Sequence, residues 1–169
     1  MSPEFSIASP SHWDGPANAA WTTANKPLAL GFRLSESVVV TQLGWLNGSS
    51  ASVNTDLGIY DSGWSRLVAV GGVAKSGALV WQWTDVANTT LVSGRTYYLV
   101  HVLAATTANN IVRLSGPSIT VGPHKELMSV WESPTDSYPL PVSFSDMATP
   151  PTTLLQVPMV GMAAVGATV

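Results

Sequence analysis

No window of this chain sustains apolar residues at i, i+3, i+4 and i+7, and twelve prolines with fourteen glycines interrupt every stretch where a long helix would have to grow. A chain punctuated this densely folds through short elements joined by turns. Between the breaks the apolar residues recur with period two. The run PLALGFRLS puts Leu28, Leu30, Phe32 and Leu34 on one side and Ala29, Gly31 and Arg33 on the other, the pattern of a half-buried strand. VVVTQLGWL, residues 38–46, closes at Asn47-Gly48, a pair that tolerates positive φ and favours a tight turn. Residues 57–60 and 66–70 read as a hairpin turning at Asp61-Ser62-Gly63.

The segment LVSGRTYYLVHV, residues 91–102, constrains the architecture most. Tyr97, Leu99 and His101 point to one side of a strand, and Tyr98, Val100 and Val102 point to the other. Apolar side chains on both faces predict a strand in the middle of a packed two-layer β-structure. ALVWQWTDV and NNIVRLSG add further short strands. Roughly seven strands between residues 26 and 122 predict an all-β fold, an antiparallel β-sandwich of jelly-roll-like form. Residues 1–25 read as an N-terminal arm. Residues 123–169 read as proline-rich strands, or an arm, completing the sandwich or an oligomer interface.

Composition narrows the function classes. Charged residues make up 10% of the chain, against roughly 25% in ordinary soluble domains, so much of the surface is neutral or buried against another chain. The formal charge is −3, and the seven Lys and Arg are spread singly, which argues against nucleic acid as a partner. Without cysteine there are no disulfides and no thiolate chemistry. His12, His101 and His124 lie far apart and in no metal-ligand pattern, so no metal and no cofactor is expected. Residues 1–16 lack a basic segment followed by an apolar one, and no run approaches the ~20 apolar residues of a membrane span, so neither export nor membrane insertion is expected.

No nucleophile elbow, Walker loop or dinucleotide fingerprint occurs. Asp56 and Asp61 flank the LGIY run and are the one carboxylate pair to weigh for glycoside hydrolysis, which needs two acids facing one bond. Asp61 opens an Asp-Ser-Gly turn, where its side chain binds the local backbone, and the chain is read as no enzyme. Seven tryptophans are the more informative residues. Trp45 belongs in a core. Trp81 and Trp83 share a strand face and suit either a sandwich layer or a paired platform for stacking a sugar ring. Trp64, just after a turn, is the expected exposed contact residue. These three, Trp64, Trp81 and Trp83, are the candidate ligand-binding residues. Trp13 and Trp21 are expected to anchor the N-terminal arm on a neighbouring subunit, with Val157, Met159 and Met162 as further oligomer contacts.

Three phrases together, LGFRLSESVVVTQLGWLN, VNTDLGIYDSGWSRLVAVGGV and TTLVSGRTYYLVHVLA, resemble a β-sandwich pattern of bacteriophage tail-fibre and other virion-appendage proteins. The residues carrying it are Gly58, Ile59, Tyr60 and Asp61, then Arg66 and Leu67, then Leu91, Gly94, Tyr97, Tyr98 and Leu99. SYPLPVSFSDM and LLQVPMVGMAAVG look like phrases that close such domains. The resemblance implies a non-enzymatic virion structural protein of the tail-fibre, head-fibre or capsid-decoration type. Such a protein is made in the bacterial cytoplasm, displayed on the virion surface among other virion proteins, and contacts the host envelope or stabilises the particle. It transfers no active site. The alternative is a carbohydrate-binding module recognising a bacterial surface glycan through its tryptophans. Low charge and an apolar C-terminal phrase further predict a homo-oligomer, by fibre resemblance a trimer. Removal of residues 150–169 is then expected to lower the oligomeric state or solubility and leave the sandwich folded.

Overall fold

Period-two alternation becomes strand structure along the chain, and the computed structural model describes residues 4–6, 14–19, 24–50, 52–106, 111–115, 130–133, 135–145, 156–158 and 160–166. The described strands are β1 (Glu4–Ser6), β2 (Asp14–Ala19), β3 (Leu28–Arg33), β4 (Val38–Leu46), β5 (Asn54–Asp61), β6 (Arg66–Ala69), β7 (Val73–Ala74), β8 (Trp81–Leu91), β9 (Thr96–Leu103), β10 (Ile111–Ser115), β11 (Val130–Glu132), β12 (Gln156–Pro158) and β13 (Val160–Gly166). All pair antiparallel. One sheet runs β1-β13-β4-β8; a second runs β11-β3-β9-β5-β6, with β7 also on β5; a short third runs β12-β10-β2.

The first two sheets face each other. Phe32, Leu57, Ile59, Tyr97 and Leu99 of the second sheet pack against Val40, Leu43, Trp45, Val160, Met162 and Ala164 of the first in one buried cluster. The half-buried pattern read in residues 28–34 does not hold. Leu28, Leu30 and Phe32 are buried as expected, but Ala29 and Gly31 are buried too, with Ala29 packed in the outer-face cluster beside Tyr98 and Val100. The reason is that β3, like its neighbour β9, is covered on both sides, and only Arg33 is exposed. At about 1.5–3 kcal/mol for each fully buried large aliphatic side chain, this interlayer is the main source of stability in a chain without disulfides.

The second sheet is also covered on its outer face. Tyr60, Tyr98, Val100 and Val102 form a separate buried cluster with Leu140 and Phe144, which belong to a segment spanning residues 135–145. That segment has little regular structure, so its backbone groups are satisfied by the sheet beneath it. Asp56, fully buried, accepts the Leu140 N–H at 2.9 Å through one carboxylate oxygen and the Gly71 N–H at 3.0 Å through the other. Tyr60 donates its hydroxyl to the Pro141 carbonyl, Arg66 donates its guanidinium to the Leu140 carbonyl, and the Arg66 N–H reaches the Val142 carbonyl at 2.9 Å. The Tyr60 hydroxyl is correspondingly harder to ionise, chiefly because burial disfavours the phenolate.

Two expectations change here. Trp64 is not an exposed contact: it is 7% exposed. Its backbone takes a left-handed conformation, φ 61°, that turns the indole back over Tyr98 at 4.0 Å between ring centres and 16° between planes, edge-on to Phe144. A left-handed non-glycine residue costs roughly 1–2 kcal/mol, which the aromatic burial offsets. Met162 is 1% exposed inside the interlayer core, so it is unavailable as an oligomer contact. Both sheets also draw strands from outside residues 26–122. β13 lies between β1 and β4 in the first sheet, β11 extends the second sheet from β3, and β2 pairs with β10. Val157 lies on β12, which pairs with β10, while Trp13, Trp21 and Met159 lie outside the described residues.

Two outcomes follow. Trp64→Ala is expected to lower the unfolding free energy by about 3–5 kcal/mol, since the strained backbone remains while the stacked indole is lost; chemical denaturation measures it. A chain ending at residue 155 lacks Val160, Met162 and Ala164 of the core and is expected to lose its cooperative unfolding transition, contrary to the expectation that removing the C-terminus leaves the sandwich folded.

Candidate functional site

Asp56 and Asp61, the carboxylates weighed as an acid pair, are five residues apart on one strand and so project from opposite faces of β5. Asp56 holds the outer segment. Asp61 accepts the N–H groups of Gly63 at 2.9 Å and Ser65 at 3.0 Å, capping its own turn as its position predicted. The two therefore do not face one bond. Among the described residues, no three His, Asp or Glu side chains cluster as metal ligands, and no helix is long and apolar enough to cross a membrane.

A different pair does converge. Cross-strand register puts Trp81 opposite Leu46, Trp83 opposite Gly44 and Asp85 opposite Gln42. These side chains share a face, and since Trp45 and Leu43 fill the interlayer core, that face is the outer one. Trp81 and Trp83 stack at 5.4 Å between ring centres with planes 16° apart, and both are partly exposed. Gly44 makes this possible. A Cβ there would lie 2.6 Å from indole carbon Cδ2 of Trp83, so only glycine lets the ring lie flat across β4. Beside the rings, Gln42 donates from Nε2 to Asp85 at 2.7 Å, which sets an amide and a carboxylate next to an aromatic ridge. β8 is the edge strand of its sheet among the described residues.

Sequence reasoning found Trp81 and Trp83 from their spacing but missed Gly44, Gln42 and Asp85. The tight turn expected at Asn47-Gly48 does not form: the Asn47 N–H donates to the Val80 carbonyl at 3.0 Å and the Leu79 N–H to the Gly48 carbonyl at 3.1 Å, continuing the pairing of β4 with β8. That pairing is made across the insertion of β5 to β7, so no local turn sets its register.

The interlayer core has a polar end. His101, 1% exposed, meets the Thr55 hydroxyl at 2.7 Å through Nε2 and stacks on Trp45. Thr55 also donates to the Val102 carbonyl at 3.1 Å, consistent with a ring hydrogen on Nε2 of His101. Trp45 donates to Asn47 at 2.9 Å, and Asn47 donates to the Ser76 carbonyl at 2.7 Å. Next in the chain, Lys75 is 6% exposed and its amine has no hydrogen-bond partner among the described residues. Burial lowers Lys75 from 10.5 to about 8, and burial followed by Lys75 repulsion lowers His101 from 6.5 to about 3. This His stays neutral near pH 7, and its packing marks it as a core group.

Both depressed groups bind protons more tightly in the unfolded chain, so each makes stability rise with pH. The His101 contribution is complete above about pH 6.5 and is lost as pH falls toward 3. The Lys75 penalty is present in full below about pH 8 and is relieved toward pH 10.5. Lys75→Met is therefore expected to stabilise the protein at neutral pH by about 1–3 kcal/mol, by removing a buried charge without an acceptor. It should also abolish the rise in stability between about pH 8 and 10.5, and melting temperatures of both proteins across pH measure the effect.

Comparison of the chain with protein-family models, with curated proteins and with solved structures finds no match.

Proposed function

We propose that this chain is a non-enzymatic structural protein of a bacteriophage virion, of the tail-fibre, head-fibre or capsid-decoration type, and that it contacts the host envelope by stacking a surface saccharide on Trp81 and Trp83. The observation carrying the binding part is the pair of partly exposed, near-parallel indoles on the outer face of the first sheet, with Gln42 and Asp85 beside them. Sugar rings present C–H faces to an aromatic surface and hydroxyls to flanking polar groups, and this ridge offers both partners. The virion part rests on the resemblance carried by Gly58, Ile59, Tyr60, Asp61 and the Tyr97-Tyr98 strand. A carbohydrate-binding module acting outside a virion would use the same ridge. Trp64 leaves the set of ligand contacts, because its indole is buried between Tyr98 and Phe144.

Assembly as a trimer belongs to the same proposal, and apolar side chains such as Leu79, 56% exposed, and Val80, 48% exposed, remain for a neighbouring subunit to cover. Light scattering should give three times 17.7 kDa for the full chain, and a monomer mass would overturn this element.

Titration with bacterial surface polysaccharides, followed by tryptophan fluorescence, tests the binding. Removing either indole should withdraw about 70 Å² of apolar contact, or about 1.8 kcal/mol at ~25 cal/mol per Å², a loss of roughly twentyfold in affinity. Trp81→Ala and Trp83→Ala should both show it, and Gly44→Ala should weaken binding by lifting the Trp83 ring. No response to any polysaccharide, or full binding by all three variants, would overturn the reading.

A further inference from the structure

At the far end of β8 from the indoles, an open groove of about 630 Å³ runs between the β5–β6 turn and the β8–β9 turn. Arg33, Asp61, Leu67, Val92, Arg95 and Thr96 are among its walls. The chain contains only seven basic residues, and two of them, both exposed and 62 positions apart in sequence, meet here through the pairing of β3 with β9. Glu36, in the β3–β4 loop nearby, is not part of the lining.

The groove is braced. Gly94, at φ 75°, donates its N–H to the Leu34 carbonyl at 3.0 Å, and Ser93 donates its N–H to the Ser37 hydroxyl at 3.0 Å and its own hydroxyl to the Ser35 carbonyl at 2.9 Å. These bonds tie the β8–β9 turn, and with it Arg95, to the loop that follows Arg33. The Arg33 Nε donates to the Thr96 hydroxyl at 2.8 Å, which fixes the plane of the guanidinium and leaves its terminal N–H groups for a ligand. Asp61 commits one carboxylate oxygen to the backbone of its own turn, so the second can accept from a ligand hydroxyl. Leu67, 38% exposed, and Val92, 41% exposed, provide apolar surface beside these charges.

We propose that this groove is a second binding site, which takes an acidic sugar: its oxyanion sits between Arg33 and Arg95, a hydroxyl donates to Asp61, and its apolar face lies against Leu67 and Val92. Guanidinium groups recognise planar oxyanions through paired N–H donors, and a carboxylate in the same groove selects against a bare anion and for one that also carries hydroxyls. The site lies roughly 30 Å along β8 from the Trp81–Trp83 ridge, nine residues at about 3.3 Å each, and it does not depend on that ridge.

Nuclear magnetic resonance titration of the isotope-labelled full chain, with glucuronate, glucose and inorganic phosphate as separate ligands, tests this. Glucuronate is expected to shift the backbone resonances of Ser62, Gly94, Arg95 and Thr96 and to bind more weakly in high salt. Arg33→Gln and Arg95→Gln should each weaken it roughly tenfold. The double variant Trp81→Ala/Trp83→Ala should bind glucuronate unchanged, which keeps failure of the ridge distinct from failure of the groove. No shifts at these residues, equal binding of glucose or phosphate, or full binding by both arginine variants would overturn the proposal.

Discussion

Strand β9 carries apolar side chains on both faces, so the sheet built around it must be covered twice. The first sheet covers Tyr97 and Leu99, and the segment of residues 135–145 covers Tyr98, Val100 and Val102. The second cover is irregular, and an irregular chain over an apolar surface must place its polar backbone groups somewhere. Asp56, Tyr60 and Arg66 of the adjoining hairpin supply those partners. A buried carboxylate, a buried phenol and a guanidinium near residue 140 are thus consequences of one strand having no solvent-facing side.

The same constraint explains the left-handed Trp64. A turn at the rim of a singly covered sheet would leave its indole in water, as the residue's position suggested. With a second layer on the outer face, the indole has Tyr98 below it and Phe144 at its edge, and the backbone adopts the conformation that delivers it there. The β5–β6 turn is fixed in turn by Asp61, and because the turn is fixed it can serve as one wall of the groove holding Arg33 and Arg95.

Stability and recognition occupy different parts of the molecule. The interlayer tolerates Lys75 and His101 at its polar end, and both lower stability as pH falls. The outer face of the first sheet instead displays aromatic surface on β8, an edge strand among the described residues. There the absence of a side chain at Gly44 does as much to shape the ridge as the presence of two indoles, because it seats one of them flat.

Local pattern determined the strand character of the chain. The double apolar face of residues 97–102 announced a central strand and Asp61 was recognisable as a turn-capping residue, whereas the alternation in residues 28–34 sorted side chains into two faces without showing that Ala29 and Gly31 would be buried as well. Those properties depend on a residue and its near neighbours in sequence. What the tertiary structure decided are the pairings between distant segments. β13 enters the middle of the first sheet, residues 135–145 close over Trp64, Gly44 comes to lie beneath Trp83, and Arg33 comes to lie near Arg95. Spacing within a strand reveals which face a side chain takes, but not which strand lies beside it. Long-range antiparallel register is set by the packing of the whole interlayer, to which every strand contributes and which no single segment encodes.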